Sequence, residues 1–565
     1  MKRTITILIT LCLLIGLLAA CNGTAPDNTD GATPDNTDGT TPGNTTTGTT
    51  TPPAGATGPA SEGIEQTLNL CQDANRYNDY DFKHPWVDIV FNDRLIWLTL
   101  LQADKDLQAA AGGIMSDWTV SSDGMTITLT MRDDLFWSDG TPITMDDVLW
   151  TFDRLCEQNL GSIIYIGLTY IEGQTAYANG EADSVSGITA SGNVLTFKLR
   201  SPYASFLNIM AQVAPLPKHV YENCDFSEGA AFNRDPIWRE IKVNSGPFVV
   251  GEHVENNYYI MEPNPFYKGA ESKINKVVVT ITDAWTAMAQ TNNIDFWPTY
   301  SMDTYTILSD LDAYRLEMAP IIYFRNLAFN FTDADGNRRD HVTDLRVRQA
   351  IAFAVDWKSI ISSLFGDLAA LTQSGVLSSS PDYAGDWYSY DPAKAKALLD
   401  EANFDYSKPI RILYYYADQT SEDIMEAVAY YLEQVGIQVD LFFSTNAGYD
   451  LYEGRTQDVF YAGQSAFDNL TWYQMYLRAN MDIMLGCTEV FADAVARLET
   501  AFTPELQKSA LAELQKIERE TVFFLPVYTL NYQYWLSDRL SVPENMFGNN
   551  WYFYDIQFEN WEIVK

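Results

Sequence analysis

Apolar and polar residues alternate along several short stretches of the chain. Met125–Met131, MTITLTM, has period two and follows Ser-Asp-Gly, and Asn193–Leu199, NVLTFKL, repeats that pattern after Ser191-Gly192. Period two puts successive side chains on opposite faces of a sheet, so both stretches predict half-buried strands entered from turns. Lys276–Ile281, KVVVTI, predicts a more apolar strand. Helical spacing appears at Leu345–Leu364, Pro392–Ala402, Ser421–Val435 and Pro504–Glu520. Strands dominate early and helices alternate with strands later. That order predicts an α/β body with more than one lobe, running from Gly63 to Lys565.

One stretch looks chemical at first sight. Trp137–Phe152, WSDGTPITMDDVLWTF, places Asp139, Asp146 and Asp147 close together. Asp139-Gly140 is a turn signal, and Pro142 sets an extended pair. Thr144 followed three residues later by Asp147 has the form of a helix N-cap with its reciprocal acid. Both acids suit the positive end of a helix dipole, and Val148, Leu149 and Phe152 supply a buried face. Each aspartate therefore has a structural role, and a general acid/base pair is not expected.

The first twenty residues predict no part of the fold. Lys2 and Arg3 precede an apolar run from Ile5 to Ala20, as in a secretory signal peptide. Leu18-Ala19-Ala20-Cys21 looks like a bacterial lipobox, which makes Cys21 the acylated residue of the exported chain. Residues 21–62 are a Thr/Gly/Pro-rich tether containing PDNTDG twice. They offer almost nothing to bury and are expected to stay unfolded. The body is then held to the membrane only through its N-terminal lipid, on the extracytoplasmic side. With 36 Lys+Arg against 75 Asp+Glu, the chain carries a formal charge of −39. Such a surface repels phosphate backbones, so nucleic acid is not expected as a partner. Cys71, Cys156, Cys224 and Cys487 form no CxxC, and both disulfides and buried thiols remain open. His84, His219, His253 and His341 lack metal-ligand spacing, and neither metal nor cofactor is expected.

Seven blocks in order resemble a known family. The signature region is SSDGMTITLTMRDDLFWSDGTPITMDDVLWTFDRL, with Met145 where Ala is usual. PLPKHVYE, NSGPFVV with EPNPFYKG, DLRVRQAIAFAVDWKSII, YDPAKAKALLDEANF, EAVAYYLEQVGIQVDL and ERETVFFLPVY follow. Together they resemble the family 5 extracellular solute-binding proteins, the oligopeptide, dipeptide and nickel receptors of ABC importers.

The resemblance implies a two-lobed periplasmic-binding-protein-like fold of the cluster C type, with an extra subdomain in the first lobe. Lobe I would take 63–321, lobe II 322–526, and 527–565 would return to lobe I. Crossings would fall near Tyr323–Phe331 and Phe524–Tyr532. It further implies a monomeric receptor that catalyses nothing, captures short peptides or similar solutes and hands them to permease subunits. Peptide receptors of the family often carry W-x-A-D-Y-x-D-P, whose first Asp pairs the peptide amine. Here Gly463–Leu477 reads GQSAFDNLTWYQMYL, with Phe467 in the acid's place and Asp468 displaced by one. Trp472, Tyr473, Trp551, Tyr323 and Trp297 are candidate ligand contacts, with core packing as the alternative for each. Arg325 is a candidate carboxylate partner, or else an ion-paired arginine. An oligosaccharide receptor, and a non-transport sensor or adhesin on the same fold, are the other readings. A hydrolase has no nucleophile–base motif behind it. For Arg346 and Arg348, ion pairing with Asp344 or Asp356 is expected.

Overall fold

The computed structural model describes residues 63–72, 91–157, 163–224 and 243–565. The signal segment, Cys21 and the tether lie outside the described residues, as does His84. Period-two stretches form strands where expected, at Thr126–Met131, Val194–Lys198 and Lys276–Ile281. The first two join Met115–Val120 and Ile188–Ser191 in a separate four-stranded antiparallel sheet. The third pairs in parallel with Thr67–Gln72 inside an eleven-stranded sheet that forms the spine of the molecule.

Two long strands sit at the middle of that sheet, Tyr314–Phe329 and Phe524–Ser537, antiparallel to each other. On one side Phe296–Thr299 pairs with Gln533–Leu536 and leads to Thr67–Gln72, Lys276–Ile281 and the strands beyond. On the other side Tyr323–Phe329 pairs with Val459–Ser465, which leads to Ile410–Tyr414 and Val439–Phe443. Each long strand thus passes from one lobe's part of the sheet to the other's. Pairing slips between Pro320↔Asn531 and Phe324↔Thr529. Such a bulge bends the strand and re-aims its side chains. Thr529 holds it together, its hydroxyl donating to the carbonyls of Ile321 at 2.8 Å and Tyr323 at 3.0 Å. The bulge lies where the sheet changes lobes.

Helix termini follow from local chemistry. Pro392–Glu401 and Pro504–Thr521 begin with proline at the first turn, capped by Asp391 and Thr503. Leu345–Leu364 is two helices rather than one. Asp356 accepts from Ser359 N and starts a second helix at Trp357, ending the first at Ala354. Thr144 and Asp147 form the reciprocal cap expected of them, with the Thr144 amide and hydroxyl each 2.8 Å from the Asp147 carboxylate. Asp139 binds the Thr141 amide and His219, and Asp146 binds Lys218. Arg346 pairs with Asp344 at 2.6 Å as expected. Arg348 departs from expectation. Buried, with Asp344 acting on it only through space, it donates to the carbonyls of Val342, Thr343 and Thr521 at helix ends. Carbonyls there carry the negative end of the helix dipole, so they serve as its counter-charge. Burial brings its pKa down to about 10. Cys156 and Cys487 are buried thiols outside any disulfide, and burial pushes both up to about 12.

Candidate functional site

Alternation along Tyr314–Phe329 sends Phe324 to one face and Tyr323 and Arg325 to the other. Phe324 packs edge-on against Trp472, ring centroids 4.7 Å apart. On the opposite face Tyr323 meets Tyr300 at 6.0 Å and Trp551 at 5.3 Å. Tyr532, from the second crossing strand, closes on Tyr300 at 5.9 Å and on Trp551 at 6.1 Å. Tyr300 follows directly on the first-lobe strand Phe296–Thr299, and Trp551 comes from the C-terminal segment. An aromatic shelf therefore spans the bulge, built from both sides of the crossing. Tyr300 and Trp551 stay half-buried, so their faces are not sealed in core.

Arg325 lies one strand pair further along that face. Its register partners are Gly463 and Tyr528. A side chain at Gly463 would fall 2.4 Å from the Tyr323 hydroxyl and 2.7 Å from that of Tyr416, so glycine leaves the space these rings fill. The guanidinium carbon stands 3.8 Å from the Tyr416 ring centre, 5.1 Å from Tyr323 and 5.8 Å from Tyr461. Burial pushes the Tyr323 and Tyr461 phenols well above their ordinary value and Tyr528 up to about 12. Tyr323, Tyr461 and Tyr528 are therefore neutral at physiological pH. Ion pairing, the ordinary expectation for Arg325, does not occur among the described residues. Tyr323 and Arg325 were marked by their place at an expected crossing strand. Tyr300, Tyr416, Tyr461, Tyr528 and Tyr532 carry no such local mark, because only strand register brings them there.

Four of the sequence candidates sit elsewhere. Trp472 and Tyr473 are wholly buried in the second lobe. The Trp472 indole donates to Glu518 at 3.1 Å and the Tyr473 hydroxyl at 2.8 Å. Tyr476 and the Gly375 amide complete the set on that carboxylate. Their polar tips are held by Glu518 and their faces lie in the core, the alternative open for each of them. Trp297 stacks on Trp285 at 5.1 Å within a small satellite core, apart from the shelf.

Asp468, considered as a displaced amine partner, is the N-cap of helix Asn469–Gln474. One oxygen accepts from the Thr471 amide at 2.8 Å, and the other accepts from the Ser205 hydroxyl across the lobes. Burial pushes its carboxyl up, against the pull of those two bonds. With both oxygens engaged, Asp468 fastens lobes together rather than facing a solute. Phe467 packs edge-on against Tyr552 at 5.0 Å, beside Trp551. Nearby, Glu499 accepts from Tyr170 at 2.6 Å and from Gln474 at 2.9 Å, and its carbonyl accepts from the Ala204 amide at 2.8 Å. These contacts join residues 170–205 to the second lobe, so the two lobes meet in this structure.

Among the described residues, no group of three or more His, Cys, Asp or Glu is placed to hold a metal ion. No described helix is long and apolar enough to cross a membrane.

Residues 110–481 match the family described as bacterial extracellular solute-binding proteins, family 5 Middle. A Brucella ovis protein, named provisionally an ABC transporter peptide-binding protein, is 29% identical over 343 residues, 60% of this chain and 60% of that protein. The nickel-binding periplasmic protein of Escherichia coli is 26% identical over 354 residues, 58% of this chain and 62% of its own length. The chain thus matches about 60% of the length of these relatives. Among solved structures, the ABC transporter substrate-binding protein CtaP of Listeria monocytogenes shares the fold, with a TM-score of 0.71 at 18% identity, covering 88% of this chain and 99% of that one.

Proposed function

The chain belongs to the bacterial extracellular solute-binding proteins, family 5, and on that premise we propose that it is the solute-capturing component of an ABC importer. Lobe I, 63–321 with the return 527–565, and lobe II, 322–526, close on a small solute at the strand crossing. The closed form is what permease subunits take up. The body works as a monomer outside the cytoplasm, anchored by acylated Cys21, and changes no covalent bond of its cargo. The aromatic shelf over the bulge carries this reading. Tyr300, Tyr532 and Trp551 fall in lobe I by these bounds and Tyr323 opens lobe II, so the shelf they form sits at the boundary between them. A solute lying on such rings favours the closed arrangement by its differential contact with it.

Short peptides are the first cargo class, after the names of relatives. Phe467 in place of an amine-binding acid favours an amine-free solute such as an oligosaccharide as the second. Native mass spectrometry of the full chain purified without refolding tests the proposal. The expected result is a discrete added mass, released on denaturation as a solute of defined composition. A chain that carries no solute and takes up none from a peptide and oligosaccharide mixture would sink it.

A further inference from the structure

Four arginines are buried among the described residues, and they differ in one respect. Arg94 donates to Asn550 and Tyr552, Arg348 to three backbone carbonyls, and Arg455 to Thr332 and Ala334. Arg325, only 8% exposed, makes no such bond: its Nε and Nη1 reach neither solvent nor an acceptor. A buried charge without a hydrogen-bonded partner is costly, and rings recover only part of that cost. The ring of Tyr416 covers a face of the guanidinium at 3.8 Å, so what remains for a partner is its edge. The surrounding hydroxyls are largely committed to one another. Tyr461 bonds to Tyr528, and Tyr416 accepts from the Gly463 amide at 2.8 Å and meets Tyr415 at 3.2 Å.

We propose that the captured solute presents a carboxylate, and that the guanidinium of Arg325 receives it as a planar, two-point pair. This rests on the reading of the crossing as the solute site, and it names what the solute must carry. The fork of donors on a guanidinium edge matches a carboxylate in geometry and charge. Tyr323 adjoins both Arg325 and the shelf. The solute therefore has an anionic end at Arg325 and an apolar or flat body running over Tyr323 toward Tyr300 and Trp551. Asp468 is engaged and Phe467 stands where an acid would be, so an amine is not required. A bare metal cation is disfavoured at this end by the positive charge.

The probe pair is 3-phenylpropanoate and 3-phenylpropanamide, which differ in the charged end and share the body. Calorimetry with the full chain should show the acid bound at least ~100-fold more tightly than the amide. Arg325→Met should abolish that preference. Arg325→Lys, which keeps charge and loses the fork, should fall between. A structural arginine would cost stability on removal. Here the melting temperature of solute-stripped Arg325→Met should equal or exceed that of the stripped parent, because an unpartnered buried charge has gone. Equal binding of acid and amide, binding of neither, or a preference that survives in Arg325→Met would overturn the inference. Release of a carboxylate-free solute from the purified chain would overturn it while leaving the receptor reading intact.

Discussion

Glu518 and Asp458 show two ways in which this chain keeps a buried carboxylate. Glu518 sits in the second-lobe core and accepts from Trp472, Tyr473, Tyr476 and the Gly375 amide, while burial pushes its carboxyl up. Glu518→Ala would orphan four donors at once. We expect it to cost about 3–5 kcal/mol in denaturant unfolding, with solute preference unchanged in whatever folds. Asp458 is also desolvated, but His341, the Arg411 amide and Arg339 hold its carboxyl below the usual range. A depressed folded-state pKa contributes stability that is fully present above the unfolded value of ~3.9 and is lost as pH falls through the folded value. Asp458→Asn should therefore be less stable than the parent at pH 7, and the gap should narrow as pH drops below ~4. Melts across pH check this, and a gap that stays constant would refute it. At the crossing, Trp551→Ala should weaken solute binding by about tenfold or more, read by calorimetry, with the melting temperature of the stripped chain little changed.

Elements were readable from sequence where one segment holds the whole signal. Pro392–Glu401 and Pro504–Thr521 carry their cap, their proline and their apolar stripe within one stretch. The Thr144–Asp147 cap was readable for the same reason. Leu345–Leu364 was read as one helix because its apolar spacing runs on through Val355-Asp356. Periodicity does not register a side chain that caps a new helix in mid-pattern. The site was legible only in part. Tyr323, Arg325 and Trp551 stood out by their place near expected crossings. Trp472 and Tyr473 stood out because they follow the stretch where an amine-binding acid was expected, yet a buried Glu518 some 45 residues away claims them. Distant register, which single-segment patterns do not encode, decides between shelf and core. The Asp468 cap makes a test at this scale. Thr471→Ala removes the reciprocal half of the capping box and should cost about 1 kcal/mol of stability. Ser205→Ala leaves the cap and removes only its bond across the lobes. It should weaken solute binding by a few-fold with little effect on unfolding, as separate melts and titrations would show.

At the scale of the molecule, one sheet serves both lobes, and its two crossing strands are the covalent joint between them. The bulge at Pro320–Phe324 falls at that joint, and Thr529 ties its carbonyls. A contact set made by Ser205, Ala204 and Tyr170 with Asp468 and Glu499 fastens the lobes away from the joint. Closure then has a hinge, a clasp and, between them, a shelf with a charged end. On the proposed function, solute capture is the work of that arrangement, so protection on binding has to appear there. Hydrogen exchange of the full chain, with and without the solute released from it, tests this most directly. The account predicts slowed exchange at Tyr323–Arg325, at Tyr415-Tyr416, around Gly463 and at Asn549–Trp551, with smaller slowing at the Ser205–Asp468 clasp. Protection confined to another surface, such as the shallow groove lined by Gln102, Asp104, Asn545 and Gln557, would contradict it.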